Sequence, residues 1–139
     1  MERDAYTIYG DLSRPPLLLI HGMRLGRQIW DVHARILCDE FCVLTIDLPG
    51  HAALTGVPFT THTVNCAIAN LLDSLELAAP PVCVGYSLGG YIINGFAREF
   101  PERTSGLVIA GASVDVVGWR AAAYRAIAAT ATAMPVPLL

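Results

Sequence analysis

Charge is scarce in this sequence: only 15% of its 139 residues are Asp, Glu, Lys or Arg, and the net charge is −3. No basic cluster breaks that pattern, which excludes the electrostatic footprint of a nucleic-acid partner. Metal-ligand spacings are missing too. There is no HExxH, no CxxC, no close histidine pair and no carboxylate cluster, so no metal and no cofactor is expected. No glycine-rich loop runs on into Gly-Lys-Ser/Thr, which removes a phosphate loop. The opening Met1-Glu2-Arg3-Asp4 leads into no apolar core of a secretory signal, and no apolar run is long enough for a bilayer span. Even the alanine-rich tail carries Arg120 and Arg125. A soluble, cytoplasmic protein is the expectation. The four cysteines, Cys38, Cys42, Cys66 and Cys83, each fall in an apolar stretch. They read as reduced, buried thiols rather than as a Cys38–Cys42 disulfide or a reactive nucleophile.

What is present is apolar side chain, 54% of the residues, enough for one domain whose elements are buried on two sides. Ala5 to Tyr9 reads as a short strand. Leu17 to Ile20, Cys42 to Ile46, Val82 to Val84 and Leu107 to Ala110 are continuous apolar runs, the pattern of strands covered on both faces. Between them the period changes to that of helices. Trp30, His33, Ala34, Leu37, Cys38 and Phe41 share one face, and Val64, Ala67, Ile68, Leu71, Leu72 and Leu75 share another. After Gly85 to Gly90 a third helix follows, with Leu88, Tyr91, Ile92 and Phe96 inward, ending at Pro101. Strand–helix alternation with short links predicts an α/β fold: a doubly wound, mostly parallel sheet with flanking helices.

The chemistry is concentrated in Gly85-Tyr86-Ser87-Leu88-Gly89, placed between a strand and a helix. A serine on so sharp a turn needs small residues two before and two after it, because strand and helix backbones crowd there. The turn lifts Ser87 Oγ out of the carboxyl end of the sheet, as the candidate nucleophile. It also aims the Leu88 N–H, at the helix start, at the place where an oxyanion would form.

With these residues the sequence resembles the α/β-hydrolase family, over about Tyr6 to Ser113. His21-Gly22 follows the first buried strand, Asp47-Leu48-Pro49-Gly50-His51 the second, and the serine turn the third. Phe100-Pro101-Glu102-Arg103 precedes the fourth, so four motifs occur in the family's order. A serine at this position argues against the branches of the family that place aspartate there. The resemblance implies a serine hydrolase acting on a small, apolar, carboxylic ester or related acyl substrate. It implies that the Met23 N–H is the second oxyanion donor, and that His21 and His51 are structural residues of their loops. His33 and His62 read as helix-surface residues, and Asp47 as a cap of its own loop.

One departure stands out. The family orders its triad serine, acid, histidine, yet no histidine follows Ser87. Asp115 is the one aspartate placed after a later strand, where it is either the catalytic acid or a helix-capping surface residue. A serine without a positioned base is a poor nucleophile, so this chain is expected to be weakly active or inactive. The other expectation is a non-catalytic ligand-binding or associating fragment of the same fold. Residues 1–117 read as the N-terminal part of the core domain, cut after about the family's sixth strand, and 118–139 as the start of a lid. Leu107 to Ala110 would then be an edge through which copies self-associate.

Overall fold

A computed structural model describes residues 3–112 and the single position 126 of the chain. Asp115 and nearly all of the expected lid segment therefore lie outside the described residues. Five strands form one sheet: β1 (Tyr6–Tyr9), β2 (Pro16–Ile20), β3 (Cys42–Ile46), β4 (Val82–Tyr86) and β5 (Gly106–Ala110). Their order is β1-β3-β2-β4-β5, with β1 antiparallel to β3 and every other pairing parallel. Three helices connect them: α1 (Asp31–Leu37), α2 (Thr61–Asp73) and α3 (Leu88–Glu99).

Side-chain alternation along the central strands explains why apolar runs became strands with two covered faces. Leu18 and Ile20 of β2, Leu44 and Ile46 of β3 and Cys83 of β4 point to one side. There they pack with Val64, Ile68, Leu71 and Leu72 of α2 and with Ile92, Ile93 and Phe96 of α3. Leu19 and Val43 point the other way, onto Ala34 of α1 and the flanking Trp30, Leu37 and Phe41. Phe96 is among the largest wholly buried side chains; truncating such a residue to alanine costs about 3–5 kcal/mol.

Local signals set the helix ends. Thr60 opens α2 through a capping box with Thr63, each side chain meeting the other's backbone N–H. The α1 helix is shorter than its apolar stripe. The Phe41 and Glu40 N–H groups both bond back to the Leu37 carbonyl, a turn that stops the helix while Phe41 still reaches the core.

One expectation fails. The apolar run Leu107 to Ala110 predicts a buried strand; the strand forms, but Leu107, Val108 and Ile109 are 38%, 50% and 38% exposed. Among the described residues β5 pairs with β4 alone.

Candidate active site

The parallel register brings the ends of β2, β3 and β4 together, with Ile20 beside both Ile46 and Gly85. Whatever follows these strands converges at the carboxyl end of the sheet: His21-Gly22-Met23, Asp47-Leu48-Pro49 and Ser87. In open α/β sheets, this is where ligands bind.

Ser87 sits between β4 and α3 with φ 52° and ψ −112°, in the positive-φ region that a side chain rarely adopts. Such a conformation costs of order 1–3 kcal/mol and survives only where its surroundings enforce it. The enforcement is visible. An added Cβ at Gly85 would lie 2.3 Å from the Gly89 carbonyl oxygen, and one at Gly89 would lie 2.3 Å from the Ile20 carbonyl oxygen. Strand, turn and helix are thus in backbone contact, as the small residues on either side of the serine foretell. The Ser87 N–H donates to the Ala110 carbonyl at 2.8 Å, which ties the turn to the end of β5. The Ser87 side chain forms no capping bond with α3, so its hydroxyl is not spent on its own helix.

Met23, Ser87, Leu88 and Tyr91 line a cavity of about 120 Å³. Gly22 brings the first of these close, since an added Cβ there would lie 3.3 Å from Ser87 Cβ and 3.1 Å from the Tyr86 ring. The Leu88 N–H belongs to the first turn of α3, where backbone donors lack helical partners and the helix dipole favours negative charge. Met23 itself is 41% exposed at the mouth. The helical pattern turns Tyr91 inward on α3 without assigning it to the site. It lies one helical turn after Leu88, on the same side of the helix, and that spacing was the signal that could have placed it here.

The two loop histidines are engaged elsewhere. His21 is wholly buried; its Nδ1–H donates to the Gly22 carbonyl at 2.7 Å, and its Nε2 accepts the Leu48 N–H at 3.1 Å. That pair of bonds requires the neutral ring. Burial, above all, holds the His21 pKa below its ordinary value, opposed by the bond to Gly22. His51 Nδ1 bonds the Pro49 carbonyl at 3.0 Å, and its ring packs against those of His21 and Phe59. His62 and His33 are exposed on helices, His33 edge-on to Trp30.

Asp47 does more than cap its own loop. Its carboxylate is fully buried and accepts the Ala53 N–H at 3.4 Å, but it also takes the Arg27 N–H at 2.7 Å and pairs with the Arg27 guanidinium. Nothing in the sequence singled out Arg27. No group of three or more potential metal ligands occurs among the described residues, and none of their helices is long and apolar enough to cross a membrane. The four cysteines are unpaired, and burial pushes the Cys42 and Cys83 thiols upward.

Comparison with known proteins fits this geometry. The chain is 36% identical over 102 residues to a pimeloyl-[acyl-carrier protein] methyl ester esterase of Aromatoleum aromaticum, covering 73% of this chain and 39% of that protein. It is 27% identical over 113 residues to a 3-oxoadipate enol-lactonase of Acinetobacter baylyi, covering 80% and 42%. Among solved structures, a thermophilic esterase from Thermogutta terrifontis superposes with a TM-score of 0.78 at 31% identity, covering 91% of this chain and 47% of the other. A hydrolase from Pseudomonas aeruginosa does so with a TM-score of 0.74 at 30% identity, covering 91% and 48%. The chain spans about two-fifths of the length of these curated relatives. The family described as "Alpha/beta hydrolase family" matches residues 17–139, and the chain belongs to it.

Proposed function

We propose that this chain supplies the nucleophile and oxyanion hole of a serine hydrolase acting on carboxylic esters. The observation that carries the reading is Ser87 held at positive φ between Gly85 and Gly89, its side chain facing a cavity shared with Met23 and Leu88. Both named relatives act on ester bonds, one a methyl ester and the other an enol-lactone, which is a cyclic ester. The cavity's small size and its lining by Met23, Leu88 and Tyr91 suit a compact apolar group next to the reacting carbonyl.

In this mechanism Ser87 Oγ adds to the ester carbonyl carbon and the carbonyl oxygen takes up the electron pair. The Leu88 and Met23 N–H groups receive that oxyanion, contacts that strengthen as charge develops. Collapse expels the alcohol and leaves an acyl-Ser87 ester, which water then hydrolyses. A base must take the serine proton. His21 and His51 are committed to their loops, and no histidine follows Ser87 in these 139 residues. Asp115 is the acid candidate within them, and residues 118–139 are the candidate start of a lid. Without a positioned base the serine is a poor nucleophile, so these 139 residues turn esters over slowly.

The test is turnover of p-nitrophenyl acetate by the wild type and Ser87→Ala. The expected result is a slow, saturable, Ser87-dependent rate for this chain. Equal rates for the two would overturn the reading. A second reading, a ligand-binding member of the fold without turnover, is favoured by one observation: both histidines of the site loops are already hydrogen-bonded. Saturable binding of an ester with no Ser87-dependent product would establish it.

A further inference from the structure

The Met23 loop is held at both ends by the loop that follows β3. At its start, His21 Nε2 accepts the Leu48 N–H. At its far end, Arg27 meets Asp47 through two donors, its backbone N–H on Oδ1 and its guanidinium on Oδ2. Asp47 is wholly buried and its Oδ2 also accepts the Ala53 N–H, while Arg27 Nε donates to Thr7 Oγ1 of β1 at 3.1 Å. One carboxylate thus joins the loops after β2 and β3, and the guanidinium extends the join to β1. Next to it the packing leaves no slack: an added Cβ at Gly26 would lie 3.2 Å from Asp47 Oδ1 and 3.0 Å from Ala52 Cβ. Only residues 22–26 lie between the two anchors, and among them is the backbone N–H of Met23.

We propose that Asp47 and Arg27 are positioning residues: their ion pair fixes the far end of the loop and so sets where the Met23 N–H stands relative to Ser87. Neither touches the substrate. An oxyanion donor works only within hydrogen-bond distance of the oxygen that develops charge, and a shift of about 1 Å is enough to cost on the order of 100-fold. A loop freed at one end drifts by that much while the cavity keeps its walls, so the effect falls on the transition state rather than on substrate binding.

The inference rests on the hydrolase reading, and the experiment separates the two. The protein expressed from its complete gene is assayed on an ester and on its thionoester, in which sulfur replaces the carbonyl oxygen and accepts N–H bonds poorly. A well-placed hole favours the oxygen substrate. Asp47→Asn removes the charge of the pair. Arg27→Gln keeps the backbone bond to Asp47 but removes the guanidinium, and serves if Asp47→Asn does not fold. Each is expected to lower kcat on the ester at least tenfold with KM within about twofold, and to shrink the oxygen-to-sulfur rate ratio. Arg27→Lys, which keeps the charge, restores part of both. Ile68→Val, a core change on α2, serves as the stability control and leaves the ratio untouched. A ratio unchanged in both pair variants, with activity falling only as the melting temperature falls, overturns the positioning role alone. A wild type no faster than Ser87→Ala overturns the hydrolase reading and this inference with it.

Discussion

The two ends of the sheet divide volume from chemistry. At the amino end, Leu72, Leu75, Leu77, Ala79, Pro80, Pro81 and Arg103 line a cavity of about 220 Å³, the larger of the two. Its single charged side chain is Arg103, paired with Asp73 on the surface. At the carboxyl end a cavity little more than half that size has a strained serine, helix N–H donors and two loops locked by buried polar contacts. The amino end is where connections merely enter strands. At the carboxyl end three loops are brought into register by the strands themselves, so chemistry can accumulate there from distant parts of the chain. Size alone would point to the other end, away from the proposed nucleophile.

The sharpest way to break this comparison is Ser87→Ala. Ser87-dependent ester turnover by the complete protein should fall by roughly 10⁴-fold or more, read as initial rates, whereas Leu77→Ala at the larger cavity should leave kcat within about twofold. Ser87→Gly should be just as inactive yet melt higher, because glycine relieves a positive-φ strain of about 1 kcal/mol or more. If Ser87→Gly melts lower than the wild type, the strain is not as described.

Two glycines of α3, one at its start and one in its interior, sharpen the same contrast. Gly89→Ala drives a methyl group into the Ile20 carbonyl and should cost about 3 kcal/mol, the upper end of overpacking. Gly95→Ala meets nothing within 4 Å and should stabilise by about 0.5–1 kcal/mol through helix propensity. Urea melts of the two variants check both signs.

A third measurement exploits His21. Its folded-state pKa lies below the unfolded one, so folding favours the neutral ring. The stabilisation is whole above the ordinary histidine pKa of about 6.5 and is lost as pH falls through the lower folded value. Melting temperature should therefore drop as pH goes from 7 to 5, and His21→Gln should remove part of that slope. The smallest effect belongs to the amino end. Arg103→Ala breaks an exposed pair and should change stability by no more than about 1 kcal/mol, with turnover unchanged.

The sequence exposed most of this architecture because its central strands are covered on both faces and read as unbroken apolar runs. The same property misled at β5. A run such as Leu107-Val108-Ile109 does not say whether a neighbour pairs on its far side, and here all three side chains are more than a third exposed. The serine turn was legible because steric crowding dictates glycine on either side of it. Met23 entered only through family resemblance, since a backbone donor leaves no trace in side-chain identity. Arg27 was invisible for a different reason: its partner lies twenty residues away, and only the parallel pairing of β2 with β3 brings them together.

That pairing order also has a consequence for how the site comes into being. β2 pairs with β3 through the shorter connection, but its other side waits for β4, with Leu18 finally beside Cys83. Closing the longer loop carries the greater entropy cost, so it is the later event in folding. The Gly89 backbone lies against the Ile20 carbonyl, so the serine turn cannot take its strained shape before β4 docks. A nascent chain released up to α2 holds both loops and their histidines, yet it lacks Ser87 and leaves one apolar flank of β2 open to whatever strand arrives first.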